Sequence, residues 1–213
     1  SVREYAYPPS LIRPAKFEDP ALKKIYDAAV RSFRHNTVDV YMDCPTRERA
    51  GWLCDSYFTS RVAFDLSGHT RLEHNFIENF LLPERFKDID EGMLPMCYPS
   101  DHADGNYIPN WAMWYVIELA DYVKRSGDKS LADLAKERVY ELIHFFRQYL
   151  NEFGLLEKLD RWVFVEWSMA NKFVQDVNFP SNMLYARTKR AVAALYGKKE
   201  LADEAGSIEK YIR

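Results

Sequence analysis

Residues 43–55, DCPTRERAGWLCD, bring three carboxylates, two arginines, a proline, a glycine and a tryptophan into thirteen positions. The stretch has neither a helical nor a strand period, so it reads as a loop. Asp43, Glu48 and Asp55 could accept hydrogen bonds from sugar hydroxyls. Arg47 and Arg49 could hold carboxylates in place through forked hydrogen bonds. Trp52 offers the flat apolar area that covers a sugar face. One carboxyl shielded from water and kept protonated would serve as a general acid. Asp55 opens the next helical run, as its cap or in its first turn, where the helix dipole favours negative charge. A salt-bridge cluster that merely docks that helix is the competing reading of the same residues.

Further candidates lie downstream. Trp111 and Trp114 are three apart at the start of a helical run, so they share a face, either as core or as the rim of a site. Trp111 is nearer the helix start and is the better rim candidate. Glu166 and Trp167 follow an apolar VFV segment on a long loop and are expected beside the first cluster. Asp101, His102 and Asp104 have the residue types of metal ligands, but their spacing reads as a solvated turn. The sequence holds no nucleophile elbow, phosphate loop or cofactor fingerprint, so no metal and no cofactor is expected.

The elements that must position these residues are helical. Apolar periodicity and capping residues predict seven helices, at about 20–34, 55–66, 70–82, 110–125, 130–152, 180–196 and 199–212. The segment 155–167, LLEKLDRWVFVEW, reads as a short β-hairpin. Short breaks join the second helix to the third, the fourth to the fifth and the sixth to the seventh. The other three connections are long, aromatic and charged, as functional loops are. Short turns at one end and long loops at the other imply a toroid of helical hairpins carrying a loop-made face. The second, fourth and sixth helices then present their N-termini to that face.

Composition narrows the functional classes. With 47% hydrophobic residues over 213 positions, a sizeable core is available. The net charge of −3 gives no footing for nucleic acid or an anionic membrane surface. No apolar run approaches the ~20 residues of a membrane span. No signal peptide is visible in this segment. Three cysteines without metal spacing read as free thiols of a reduced cytoplasm or a periplasm.

The motif Asp43-Cys44-Pro45-x-Arg47-Glu48-Arg49-x-Gly51-Trp52-x-x-Asp55 resembles the central motif of glycoside hydrolase family 78, the bacterial and fungal α-L-rhamnosidases. DPALKKIYDAAVRS, IPNWAMWYVIELADYV and VFVEW followed by FPSNMLYARTKRAVA are similar to further helices of that family. The resemblance implies a lead-in at 1–17 and a partial (α/α)6 catalytic domain over 18–213. It implies Glu48 as the general acid, Asp43 and Asp55 as holders of sugar hydroxyls, and Arg47 and Trp52 as lining of the sugar site. It also implies inversion, with a general base contributed by the second half of the barrel and so expected outside these residues. The partner implied is a rhamnose-containing oligosaccharide or glycoside.

Two positions depart from the family pattern. Cys54 stands where glycine is usual, and Glu166 where many members have aspartate. A non-catalytic sugar-binding or scaffold protein, or a helical domain that binds a protein partner, are the alternatives. Seven helices do not close a ring of six hairpins. The apolar residues of the fourth helix, including Val116, Ile117 and Leu119, are therefore expected to be partly uncovered, and the open side to support self-association.

Overall fold

The computed structural model describes residues 1, 3–100 and 104–213. Seven α-helices account for most of the order: α1 Pro20–Asn36, α2 Leu53–Ser67, α3 Arg71–Asn79, α4 Pro109–Ser126, α5 Ser130–Phe146, α6 Phe179–Tyr196 and α7 Lys199–Ile212. Side-chain caps hold the starts of two helices. Asp19 accepts from the backbone of Ala21 with Pro20 opening α1, and Asn178 accepts from Ser181 at the head of α6. Gly127 and Gly197 end α4 and α6 in the left-handed conformation, which side-chain-bearing residues rarely adopt.

Helices α2, α4 and α6 pack side by side, and α3, α5 and α7 pack against them as a second layer. The long connections 37–52, 80–108 and 147–178 all lie before α2, α4 or α6, while short turns join each of these helices to its follower. The result is an arc of helical hairpins with one loop-made end. Its core is centred on α4, where Val116 and Leu119 are fully buried and Ile117 nearly so. The expectation that these three would be uncovered therefore fails. α4 sits between α2 and α6 and is backed by α3 and α5, so it has neighbours on every apolar side.

The uncovered apolar surface lies elsewhere. Phe58 and Val62 of α2, Met183 of α6, and Leu22 and Ile25 of α1 are half exposed or more. α2 buries Ser56, Tyr57, Ser60 and Ala63 and turns its larger apolar stripe outward. Small side chains let α2 approach α4 closely, which periodicity alone does not reveal.

The expected hairpin at 155–167 does not form. The backbone there is satisfied by side-chain amides rather than by a partner strand. Phe164 N donates to Asn110 Oδ1 at 3.1 Å, Val165 N donates to Asn171 Oδ1 at 2.7 Å, and Asn171 Nδ2 donates to Val163 O at 3.2 Å. Only an isolated bridge, Leu150–Leu156, resembles strand pairing in this loop. α5 also stops short of its predicted end, giving way to a 3-10 turn at Arg147–Tyr149.

Among the described residues no helix is long and apolar enough to cross a membrane. Contiguous exposed apolar surface favours association. The chain of residues 1–213 is thus expected to sediment as larger species with rising concentration, and Phe58→Ser combined with Val62→Ser to shift it towards monomer. A wild-type chain that stays monomeric at all concentrations in analytical ultracentrifugation would contradict this.

Candidate active site

The loop 43–52 owes its shape to a few backbone constraints. Asp43 N donates to Ala50 O and Ala50 N donates to Asp43 Oδ1, both at 3.1 Å, which closes the loop on itself. Gly51 then passes against the second long loop. A Cβ at Gly51 would lie 2.8 Å from the Tyr98 carbonyl oxygen and 2.9 Å from the Phe76 ring, so no side chain fits there. Beyond it, Trp52 forms an antiparallel bridge with Cys97, and Leu53 N donates to Met96 O at 3.1 Å. These bonds seat the start of α2 on the loop 96–98.

Asp55 falls in the first turn of α2, as the sequence suggested. Cys54, where the resemblance led one to expect glycine, keeps a negative φ and is accommodated without backbone strain. Burial pushes its thiol up to about 12, with the charges of Asp55 and Glu118 adding to the effect. It is a packed thiol and no nucleophile at neutral pH.

A cavity of about 840 Å³ opens at the loop end of the helices. Asp43, Arg47, Glu48, Trp52, Asp55, Trp111 and Trp167 all line it, so seven of the eight residues singled out from the sequence converge. Glu166 does not. Its carboxylate is exposed and accepts a hydrogen bond from Ser168 Oγ, away from the lining. Arg47 pairs with Glu48 from the solvent side, with side-chain exposures of 82% and 25%. Arg49 is exposed, in the left-handed conformation at φ 55°.

Asp43 and Asp55 also line an adjoining groove of about 360 Å³ between α1 and α2, which none of the tryptophans reaches. Trp111 packs edge-on against Phe164 at 4.9 Å, and Trp167 against both Phe164 and Trp162, at 5.0 and 5.8 Å. Trp167 remains 84% exposed and forms the rim. Trp114 turns the other way, onto Tyr57 at 4.6 Å and Phe58 at 5.7 Å, so the two tryptophans of α4 do not share a role.

Several lining residues escaped the sequence reading, namely Met96, Asn106, Ile108, Trp162 and Phe164, and Asp104 was read there as part of a solvated turn. The aromatic pair was visible as RWVF but was assigned to a strand. Asp104 lines the cavity, whereas Asp101 and His102 lie outside the described residues. Among the described residues no group of three His, Cys, Asp or Glu side chains is placed to hold a metal ion.

The carboxylates influence one another. Burial raises Asp55 from its ordinary range to about 6, and the nearby charges of Asp43 and Glu48 push the same way, while its backbone hydrogen bond opposes them. Four acids line one space, Asp104 being the fourth, and with one of them raised to about 6 they form a site suited to binding hydroxyls and moving a proton.

A family model settles the class of the domain. Residues 15–210 match the model of the bacterial alpha-L-rhamnosidase 6 hairpin glycosidase domain. The chain belongs to this family. The fold agrees. A rhamnosidase from Klebsiella oxytoca with rhamnose bound superposes with a TM-score of 0.78 at 18% identity, over 93% of this chain and 39% of that one. The GH78 family rhamnosidase of Bacillus sp. GL1 gives a TM-score of 0.73 at 20% identity, over 92% and 20%. The Streptomyces avermitilis alpha-L-rhamnosidase complexed with L-rhamnose gives 0.66 at 17%, over 92% and 19%. This six-hairpin domain thus spans between about a fifth and two fifths of those solved chains. No curated protein sequence matches it.

The raised Asp55 carries a stability prediction for the domain. Its folded pKa of about 6 exceeds the 3.8 of an unperturbed aspartate, so the folded state holds the proton more tightly. Wild-type stability should fall as pH rises from about 4 to about 6. Asp55→Asn should therefore be more stable than wild type at pH 7.5, by on the order of 1–2 kcal/mol after allowing for partial solvent screening. The gap should close at pH 4. Urea denaturation at the two pH values checks this, and an Asp55→Asn less stable at pH 7.5 than at pH 4 relative to wild type would contradict it.

Proposed function

We propose that the protein carrying this domain is a glycoside hydrolase that removes terminal α-L-rhamnosyl units with inversion of configuration. The observation that carries the proposal is the convergence of Asp43, Glu48 and Asp55 on one cavity faced by Trp52, Trp111 and Trp167. Family membership and the rhamnose bound by two of the structural relatives support the choice of sugar.

In this mechanism Glu48 is the general acid, delivering its proton to the glycosidic oxygen as the bond to the anomeric carbon breaks. Asp43 and Asp55 accept hydrogen bonds from the sugar hydroxyls, an interaction strongest when they are ionised. Arg47 lies against Glu48 from outside and orients it. Trp52, Trp111 and Trp167 cover the apolar faces of the substrate.

Inversion needs a second carboxylate to activate water, roughly 6.5–9.5 Å from the acid. The two acids of the third long loop that could have served, Glu166 and Asp176, are both exposed and neither lines the cavity. Asp104 does line the cavity, but the resemblance of the motif to family 78 puts the base in the second half of the barrel; we therefore assign it outside 1–213 and expect the isolated domain to bind the sugar without turnover.

The test is Glu48→Gln in the full-length protein. Hydrolysis of aryl α-L-rhamnosides with poor leaving groups should fall by about 10²–10⁴-fold, and much less for leaving groups that depart without a proton. Equal loss with both would contradict the acid role. Rhamnose binding by a wild-type protein that hydrolyses no rhamnoside would instead identify a non-catalytic sugar-binding domain.

A further inference from the structure

Below the cavity floor lies a buried polar cluster that the mechanism does not use. Glu118 of α4 is completely buried. Its Oε2 lies 2.6 Å from Ser56 Oγ, while Oε1 has no hydrogen-bond partner. Ser56 Oγ also lies 2.6 Å from the backbone carbonyl of Leu53. Ser56 has one hydroxyl proton, and the carbonyl can only accept. If that proton goes to Leu53, the short contact to Glu118 is satisfied only when the carboxyl donates.

The charges around Glu118 point the same way. Glu73 of α3 is close, and its carboxylate is paired with Arg125, which also lies near Asp121. Tyr41, Cys54 and Tyr115 are the other titratable groups that feel Glu118, and none is a cation at neutral pH. An ionised Glu118 would share one already engaged arginine with a second buried carboxylate. An unpartnered oxygen is also tolerable on a neutral acid's carbonyl and very costly on a buried anion. Burial, followed by the Glu73 charge, pushes the carboxyl well above its usual range, and Ser56, Ser60 and Arg125 do not reverse this.

We infer that Glu118 is a neutral, proton-donating strut that holds the first turn of α2 and so positions Asp55 and Trp52 in the cavity. Ser56 follows Asp55 directly and returns to the carbonyl of Leu53, the residue after Trp52. Glu118 thus fastens to α4 the same turn that the bridge to Cys97 fastens to the second loop. It is a positioning residue and touches no substrate. The link to sugar binding rests on the role proposed above for Asp55. The proton and the fastening do not.

The full-length protein and two variants decide it. Glu118→Gln keeps a donor for Ser56 and a carbonyl at Oε1, whereas Glu118→Leu keeps bulk and removes the donor. At pH 7 the infrared difference between wild type and Glu118→Gln should contain the carbonyl stretch of a protonated carboxyl. Amide exchange at Leu53–Tyr57 should match wild type in Glu118→Gln and rise about tenfold in Glu118→Leu, as for one lost buried hydrogen bond, with α7 unchanged. The Kd for L-rhamnose should weaken about tenfold in Glu118→Leu alone, with kcat falling less, because Glu48 sits on the loop before this turn. Absence of the infrared band, or equal effects of Gln and Leu, would overturn the inference. A wild-type protein that fails to bind rhamnose would sink the functional proposal while the infrared and exchange measurements still judge Glu118.

Discussion

Gly51 lies so close to the carbonyl of Tyr98 that a single added carbon would collide with it. The cavity depends on that contact. It lets the first long loop run against the second, so that Trp52 bridges Cys97 and Leu53 bonds to Met96. With the start of α2 held there, Asp55 enters its first turn facing Asp43 and Glu48. The arc of hairpins supplies a rigid base, and this seam joins the first two long loops into one surface.

The seam also brings like charges together, which costs free energy unless burial and hydrogen bonding compensate. Asp43 spends one oxygen on the backbone of Ala50, and Glu48 is flanked by Arg47. Burial, and after it the charges of Asp43 and Glu48, raise the Asp55 carboxyl to about 6. Sites that bind uncharged, hydroxyl-rich ligands can sustain such acid clusters because each hydroxyl donates to a carboxylate. The aromatic wall from Trp111 through Phe164 to Trp167 gives the same cavity an apolar face of the kind suited to a sugar ring. Membership in the six-hairpin rhamnosidase family is what this combination of polar and aromatic surfaces would lead one to expect.

Much of this was legible in the sequence, and the exceptions have physical reasons. Helix number and order were readable because Asp19, Pro20 and the terminal glycines act locally. Asp43, Glu48, Trp52 and Asp55 were readable because one loop carries them all. The outward stripe of α2 was not, since Phe58 and Val62 have the spacing of a core face while Ser56, Ser60 and Ala63 do the packing. The VFVEW segment imitated a strand, because a short apolar run looks the same whether its backbone pairs with a strand or with Asn110 and Asn171. Glu166 was displaced from the site by its bond to Ser168, two residues away. Glu118 drew no attention within an apolar helix, although a buried carboxyl there required a partner from the start.

The most direct test of the account is a crystal structure of the full-length protein with L-rhamnose bound. The sugar should lie in the 840 Å³ cavity, with hydroxyls about 2.6–3.2 Å from the carboxylates of Asp43 and Asp55 and its anomeric carbon towards Glu48. A sugar bound elsewhere, or one in the cavity with Glu48 turned away from the anomeric centre, would contradict it.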